Sequence, residues 1–252
     1  MTTEDKELLK LAQAYYNYVP HRERNFLFYC NPKAASSSLK YMLDIKNQDK
    51  WQQISWQQLP RLVGIDGGRQ DKLDFFDKKQ FFSFGFVRNP YDRVFSAYKM
   101  LMLFAREQAA NNPVPHSAWL THWHKINSYK TFDEFVKKEI IEAGPADNHL
   151  RKQTDFLLFD RDPKIDFIGK FENFENDIVS LQKEVVAPIL WENCKTVNLQ
   201  SKEYARLIEK YDAPRFTKEM SYSTMKKIQD FYRDDFVNFG YDIEDFGEFK
   251  FT

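Results

Sequence analysis

Two segments of the chain share a pattern that sharply limits its possible folds. In both, an apolar, strand-forming run breaks into a turn with a cation and then into an amphipathic helix. The first segment covers residues 25–39 and the second covers residues 81–98. Such strand–turn–helix units direct backbone N–H groups and a helix N-terminus towards an anion. Because each unit has its own cation, the pair predicts a ligand with two separate phosphate groups.

The first segment predicts a buried strand followed by a phosphate-binding turn. Residues 26–30 are almost continuously apolar, as in a strand that is buried on both faces of a parallel sheet, and Pro32 ends that strand. Lys33 lies on the turn, where its ammonium group can meet a phosphate, and the serines at 36–38 can donate hydrogen bonds to phosphate oxygens. A solvated lysine in an ordinary turn is the alternative interpretation.

This turn differs from the standard P-loop of ATP-binding proteins. The P-loop has the form Gly-x-x-x-x-Gly-Lys-Ser/Thr, in which the lysine comes late and glycines shape the cradle. Here Lys33 directly follows Pro32, and residues 32–39 contain no glycine. An ATP-dependent kinase that uses Mg²⁺ is therefore the less favoured enzyme class.

The second segment is more specific. Residues 81–87 predict another buried strand, and Asn89 followed by a proline fits an N-cap and the first helical residue. Arg88 stands at the end of the strand, and Ser96 lies two turns into the helix. The alternative is an ordinary helix start, with Arg88 and Arg93 as surface charges.

With these motifs the chain resembles the PAPS-dependent sulfotransferases, where PAPS is 3′-phosphoadenylyl sulfate. The 5′-phosphosulfate loop of that family, Pro-Lys-x-x-x-Ser/Thr-Ser/Thr-Leu, is matched at residues 32–39. Its 3′-phosphate motif, Arg-x-Pro-x-x-Arg-x-x-Ser-x-Tyr, is matched at residues 88–98. The carbohydrate group with the chondroitin, dermatan and HNK-1 sulfotransferases has further motifs that are similar to residues 147–153, 165–172 and 232–241.

The resemblance implies the fold and the residues of the donor site. The fold would be α/β, a three-layer, P-loop-like arrangement with a central, mostly parallel sheet between helices. Lys33 would contact the bridging oxygen or the sulfonate of PAPS, and Arg88 with Ser96 would hold the 3′-phosphate. The family often has a glycine where this chain has Ala35 or Ser36. The complete 5′-phosphate loop would be Pro32, Lys33, Ala34, Ala35, Ser36, Ser37 and Ser38.

Sulfuryl transfer also needs a charge-stabilising group and a base. It resembles phosphoryl transfer through a loose, in-line transition state, so a cation such as Lys33 would stabilise the leaving phosphate. Histidine is the side chain best matched to taking a proton at neutral pH, and His149, in a polar turn, is the candidate. A structural role for His149 is an equal alternative, and Glu172 is the carboxylate alternative. His122 and His124 do not share a helix face, so no metal site and no metal requirement are predicted.

Composition favours one enzyme domain with a small polar ligand. The 252 residues include 37 Lys and Arg and 37 Asp and Glu, and a net charge of zero disfavours nucleic acid as a partner. The sequence has no signal-peptide pattern and no apolar run of about 18 residues, so we expect a cytoplasmic protein without a membrane partner. A single sulfotransferase domain over residues 1–252 is predicted, with acceptor-side insertions near residues 46–80 and 106–130.

Three further elements complete the predicted layout. A helix is expected from about residue 4 to residue 18, and the helix of the second segment should end near residue 108. A third strand near residues 166–168 should lead into a helix that buries Ile178 and Leu181.

The sequence therefore predicts a sulfotransferase with PAPS as donor and PAP, the 3′,5′-bisphosphate of adenosine, as product. The acceptor would be a hydroxyl, or as second choice an amine, of a saccharide or a small polar metabolite. The rival functions are an ATP-dependent kinase and a catalytically inert nucleotide-binding protein. The identity of the acceptor and the oligomeric state do not follow from the sequence.

Overall fold

A computed structural model describes seven stretches of the chain: residues 18–21, 26–42, 82–144, 147–157, 165–184, 202–211 and 216–252. The insertion near residues 46–80 lies outside them. The helix expected over residues 4–18 also lies outside them, apart from Tyr18, which begins a strand.

The described strands form two sheets. One sheet has the strand order β1-β2-β3-β4, and β5 pairs with β6 in the other. The strands are β1 (Tyr18–His21), β2 (Phe26–Tyr29), β3 (Phe82–Val87), β4 (Phe167–Lys170), β5 (Glu219–Met220) and β6 (Lys250–Phe251).

The described α-helices are supplemented by a π-helix, Val136–Glu142, and by short 3₁₀ helices at Asn148–Leu150 and Phe171–Asn173. No helix in the described stretches is both long enough and apolar enough to cross a lipid bilayer. The α-helices are α1 (Ser36–Met42), α2 (Pro90–Asn111), α3 (Ala118–Ser128), α4 (Phe132–Phe135), α5 (Gln153–Leu157), α6 (Phe174–Glu184), α7 (Lys202–Lys210), α8 (Tyr222–Phe231) and α9 (Arg233–Asn238).

The chain divides into two compact units. The first consists of residues 1–88 and 152–197, and the second of residues 89–151 and 198–252. Each unit has its own apolar core.

The first unit contains the mostly parallel sheet. β2, β3 and β4 run parallel, and β1 pairs antiparallel with β2. Together with the flanking helices this confirms the predicted α/β fold class. The strands predicted at residues 26–30, 81–87 and 166–168 are all present, within one or two residues. Because parallel strands end at the same edge, the turns that follow β2 and β3 lie side by side.

Both faces of this sheet are packed. One face carries an aromatic cluster, in which Phe28 and Phe84 stack with ring centroids 5.2 Å apart. Ile178 and Leu181 of α6 are buried in the same cluster, as predicted. On the other face, a Cβ atom at Gly85 would lie 2.5 Å from the Leu157 side chain, so the glycine permits this close approach.

A second glycine of the sheet adjoins the same cluster. A Cβ atom at Gly169 in β4 would lie 2.4 Å from Cε1 of Phe86 in β3. The ring of Phe86 therefore occupies the space that a side chain at residue 169 would need.

The second unit is built around α2. Asn89 is its N-cap, since its side-chain oxygen accepts from the backbone N–H of Tyr91 at 3.0 Å, and Pro90 is the first helical residue, as predicted. The helix ends at Asn111, three residues beyond the expected end. Between α2 and α3, residues 112–117 are non-helical, in agreement with the Asn- and Pro-rich sequence at 111–115.

Aromatic side chains dominate the core of the second unit. Phe95 of α2 packs edge-on against Phe132, and Tyr91 packs against Phe236 of α9. Tyr232 is fully buried between α8 and α9, and its hydroxyl donates to the carbonyl of Leu150. These aromatic side chains therefore serve packing in the second unit.

Candidate active site

The two cationic turns of the first unit meet at the carboxyl edge of the sheet. The turn after β2 carries Lys33, and Arg88 directly follows β3. The guanidinium Nη1 of Arg88 donates to the backbone carbonyl of Lys33 over 3.5 Å. Two residues that are 55 positions apart in the sequence are thus brought into contact.

The turn after β2 has an unusual backbone. Lys33 and Ala35 have φ angles of 67° and 61°, in the left-handed region that few residues other than glycine adopt. Ala34, between them, does not have a positive φ. Such alternation is typical of turns whose successive N–H groups converge on an anion. Glycine adopts a positive φ without steric cost, so Ala35 is a position where a glycine would be accommodated without strain.

The serines follow this turn at the start of α1. Ser36 is half-buried, Ser37 is exposed and Ser38 is buried. They stand directly after the left-handed turn, so that hydroxyl groups and turn amides belong to one short stretch of the first unit.

Phe171 holds the guanidinium group of Arg88. It follows β4, and the Cζ atom of Arg88 lies 4.2 Å from the centroid of its ring. A cation over an aromatic face is attracted by the ring quadrupole. Phe171 lies inside the motif at residues 165–172, but its type gave no sign of this contact.

A buried amide network lies beneath the two turns. Gln153, fully buried at the start of α5, accepts from the backbone N–H of Arg88 at 2.9 Å and donates to its carbonyl at 2.8 Å. Asn31 Nδ2 donates both to Gln153 Oε1 and to the carbonyl of Phe86, each at 2.9 Å. Asn31 could have been suspected from its place between a strand and Pro32, whereas Gln153 carried no signal beyond the motif in which it lies.

The remaining residues of the second motif belong to the second unit. Arg93 is almost completely buried, and its Nη1 donates to the carbonyl of Arg151 at 2.7 Å. The interpretation of Arg93 as a surface charge is therefore wrong. Ser96 is half-buried on α2. It belongs to the second unit, whereas Lys33 and Arg88 belong to the first.

His149 is paired with a carboxylate in the second unit. Its Nδ1 lies 2.7 Å from Asp147 Oδ1, which also accepts from the backbone N–H of His149 at 2.7 Å. Burial would raise the pKa of the Asp147 carboxyl, but the hydrogen bonds from His149 outweigh burial and hold that pKa below its ordinary value. An ionised carboxylate can only accept, so Nδ1 must donate, and Nε2 of the neutral ring is left as the proton acceptor.

The surroundings of His122, His124 and Glu172 differ from those of His149. His122 Nε2 lies 3.9 Å from Glu139, a buried carboxylate of the π-helix that also pairs with Lys125 at 3.1 Å. His124 Nε2 forms a 2.7 Å hydrogen bond with the carbonyl of Asn112. Glu172 is exposed on the 3₁₀ helix after β4. Among the described residues, no group of three or more metal-binding side chains occurs.

Comparison with known proteins gives one match. A model of the sulfotransferase family matches residues 21–242, which is most of the chain. The chain has no significant match among curated proteins or among solved structures.

Proposed function

Because the chain belongs to the sulfotransferase family, whose members transfer sulfuryl groups, we propose that its donor is PAPS and its acceptor a hydroxyl of a saccharide or small polar metabolite. An amine is the second choice of acceptor. One observation supports this proposal above the others: Arg88 Nη1 lies 3.5 Å from the Lys33 carbonyl, so both cationic turns share one edge of the sheet. A nucleotide with separate 3′- and 5′-phosphates needs two such turns.

The groups at this edge fit a bisphosphorylated nucleotide. The residues assigned to the 5′-phosphate are Lys33, the turn amides and the serines at 36–38, which offer a cation, N–H groups and hydroxyls. Arg88 is assigned to the 3′-phosphate together with Ser96. PAPS would supply the sulfuryl group for transfer.

Lys33 and His149 are assigned the chemical roles. The Lys33 ammonium would stabilise the negative charge that develops on the leaving phosphate. His149 would take the acceptor proton at Nε2, while Asp147 holds the opposite ring nitrogen and fixes the tautomer. This Asp–His pair favours the base over a purely structural role for His149.

Titration calorimetry tests the donor assignment. The wild-type protein should bind PAP without Mg²⁺ and more tightly than AMP or ATP. Arg88→Ala should weaken PAP binding by about 10- to 100-fold, since it removes a charge-assisted contact to one phosphate. The same variant should change the affinity for adenosine 5′-phosphosulfate far less, because that ligand lacks the 3′-phosphate. Equal losses for both ligands would remove Arg88 from the 3′-phosphate site.

Turnover measurements with labelled PAPS test the chemical roles and can identify the acceptor from saccharide and metabolite pools. Lys33→Ala and His149→Ala should each lower kcat by about 100-fold or more. His149→Ala should leave the Kd for PAP nearly unchanged, and Lys33→Ala should lower kcat by a far larger factor than it raises this Kd. Lys226→Ala, a change at an exposed lysine of α8, should leave kcat unaltered. Near-normal turnover of Lys33→Ala would contradict its role.

The same measurements separate the rival functions. A kinase would bind ATP in a Mg²⁺-dependent manner and prefer it to PAP. An inert nucleotide-binding protein would bind PAP but transfer no label to any acceptor pool.

A further inference from the structure

We propose that Gln153 is a positioning residue that sets the spacing between the two phosphate-binding turns, and so determines selectivity for a nucleotide with separate 3′- and 5′-phosphates. This inference rests on the proposed function. Gln153 is assigned no contact with the nucleotide. It would act through the backbone of Arg88 and through Asn31.

The side chain of Gln153 binds the backbone of Arg88. One side-chain amide satisfies both backbone groups of this residue, accepting at 2.9 Å and donating at 2.8 Å. Arg88 directly follows Val87, the last residue of β3, where the pairing of this strand with β4 ends. Gln153 therefore makes the two backbone hydrogen bonds to Arg88 that a neighbouring strand would make. These bonds fix the direction in which the chain leaves the sheet at Arg88.

Gln153 is also connected to the other turn. Gln153 Oε1 also accepts from Asn31 Nδ2, and Asn31 directly precedes the Pro32–Ala35 turn. The second proton of Asn31 Nδ2 goes to the carbonyl of Phe86, the residue two before Arg88. The Arg88 N–H needs an acceptor and the Arg88 carbonyl needs a donor, which fixes the positions of the oxygen and the nitrogen in the Gln153 amide. The Gln153 oxygen in turn requires Asn31 to present its NH₂ group. The amide groups of the network therefore have only one consistent orientation.

The network is also linked to the ligand groups. The guanidinium of Arg88 reaches the carbonyl of Lys33 and lies over Phe171 only if the Arg88 backbone keeps its place. Gln153 and Asn31 are both almost completely buried, so water cannot replace a lost partner without rearrangement. A change at Gln153 should then shift one turn relative to the other, which matters to a ligand that must reach both.

The test is the ratio of two dissociation constants. Gln153→Met keeps the length of the side chain but removes the three hydrogen bonds to Arg88 and Asn31. We expect the Kd for PAP to rise by about 10-fold or more while the Kd for AMP, which uses one turn, changes by less than about 3-fold. Gln153→Glu keeps the accepting oxygen, loses the donor to the Arg88 carbonyl and places an acidic oxygen opposite that carbonyl. It should shift the ratio in the same direction, and it keeps the proposal testable if the methionine variant does not fold.

A matched control is available in the second unit. Gln229 is also buried and donates to a backbone carbonyl, that of Ile243, at 3.1 Å. Gln229→Met should lower thermal stability and leave the ratio of the AMP and PAP constants unchanged. A Gln153 variant that weakens PAP and AMP in parallel would overturn the proposal, since that is the result of general destabilisation.

A double-mutant cycle identifies the route of the effect. If Gln153 acts through Arg88, then Arg88→Ala should weaken PAP binding much less in the Gln153→Met background than in the wild type. Additive losses would contradict this route. Failure of the wild-type protein to bind PAP at all would instead reject the proposed function.

Discussion

Ala35 carries backbone strain that its position in the turn imposes. Its φ of 61° brings the Cβ atom close to backbone atoms, at a cost of about 1–3 kcal/mol for a residue other than glycine. Such strain persists where the surrounding structure fixes the chain. Here the turn is fixed on one side by the buried Asn31 and on the other by α1.

Ala35→Gly should stabilise the protein. Glycine relieves the left-handed strain but adds conformational freedom to the unfolded chain, so the net gain in free energy of unfolding should be about 0.5–1 kcal/mol. Ala34→Gly is the control, because Ala34 is buried without a positive φ and its change should destabilise. Thermal unfolding of both variants measures the difference. A lower melting temperature for Ala35→Gly would contradict the strain.

Single residues of the candidate site were predictable where their chemistry is local. Lys33 and Arg88 stand directly after apolar strands, and parallel pairing alone brings such positions to one edge. Gln153 was not predictable, because its role depends on a contact between segments 65 residues apart. The same reason hid the burial of Arg93, whose charge suggested the surface while tertiary packing placed it inside.

Helices α2 and α7 are joined by a cluster of charges around Glu107. This carboxylate is largely buried on α2 and accepts from Lys210 at 2.7 Å, from the hydroxyl of Tyr211 and from Arg206 at 3.2 Å. Hydrogen bonds from Lys210 and Tyr211 lower the pKa of Glu107 to about 2. The ionised form is therefore favoured in the folded protein.

Glu107→Gln should lower stability in a pH-dependent way. An unfolded glutamate has a pKa of about 4.3, so the stabilisation is complete above that value and is lost as pH falls towards 2. At pH 7 the loss in free energy of unfolding should be about 1 kcal/mol, since Lys210 and Arg206 are half-exposed and solvent screens them. Chemical denaturation at several pH values measures it.

Glu142 provides the comparison for that experiment. It pairs with Lys138 at 2.8 Å on an exposed helix surface, and Glu142→Gln should leave stability essentially unchanged at every pH. A difference between Glu107→Gln and wild type that stays constant from pH 7 down to about pH 3 would show that the Glu107 charge is not the cause.

Helices and strands followed their sequence patterns well. The Asn-Pro pair marked the start of α2 correctly, and the apolar stripe with Ile178 and Leu181 marked α6. Within the region 106–130, the Asn- and Pro-rich residues 111–115 indicated an irregular stretch, and residues 112–117 are non-helical. Ser117 then caps the next helix, α3, by accepting from the N–H of Leu120 at 3.2 Å.

Across the entire chain, positive and negative charges balance. The 37 basic and 37 acidic side chains give no net field to attract a long polyanion. We therefore expect the protein to pass through a heparin column at physiological salt without being retained. The eluted protein should still bind PAP. Strong retention on heparin would contradict this and point to a sulfated polysaccharide as acceptor.

The contact between Gly169 in β4 and Phe86 in β3 constrains which residues the two strands can carry at these positions. Since an aromatic ring fills the room beside the glycine, the two positions are constrained as a pair. A larger residue could replace Gly169 during evolution only after a smaller residue had replaced Phe86. The glycine of the Ile168-Gly169-Lys170 signature would then be inherited for steric reasons, independent of which molecule receives the sulfate.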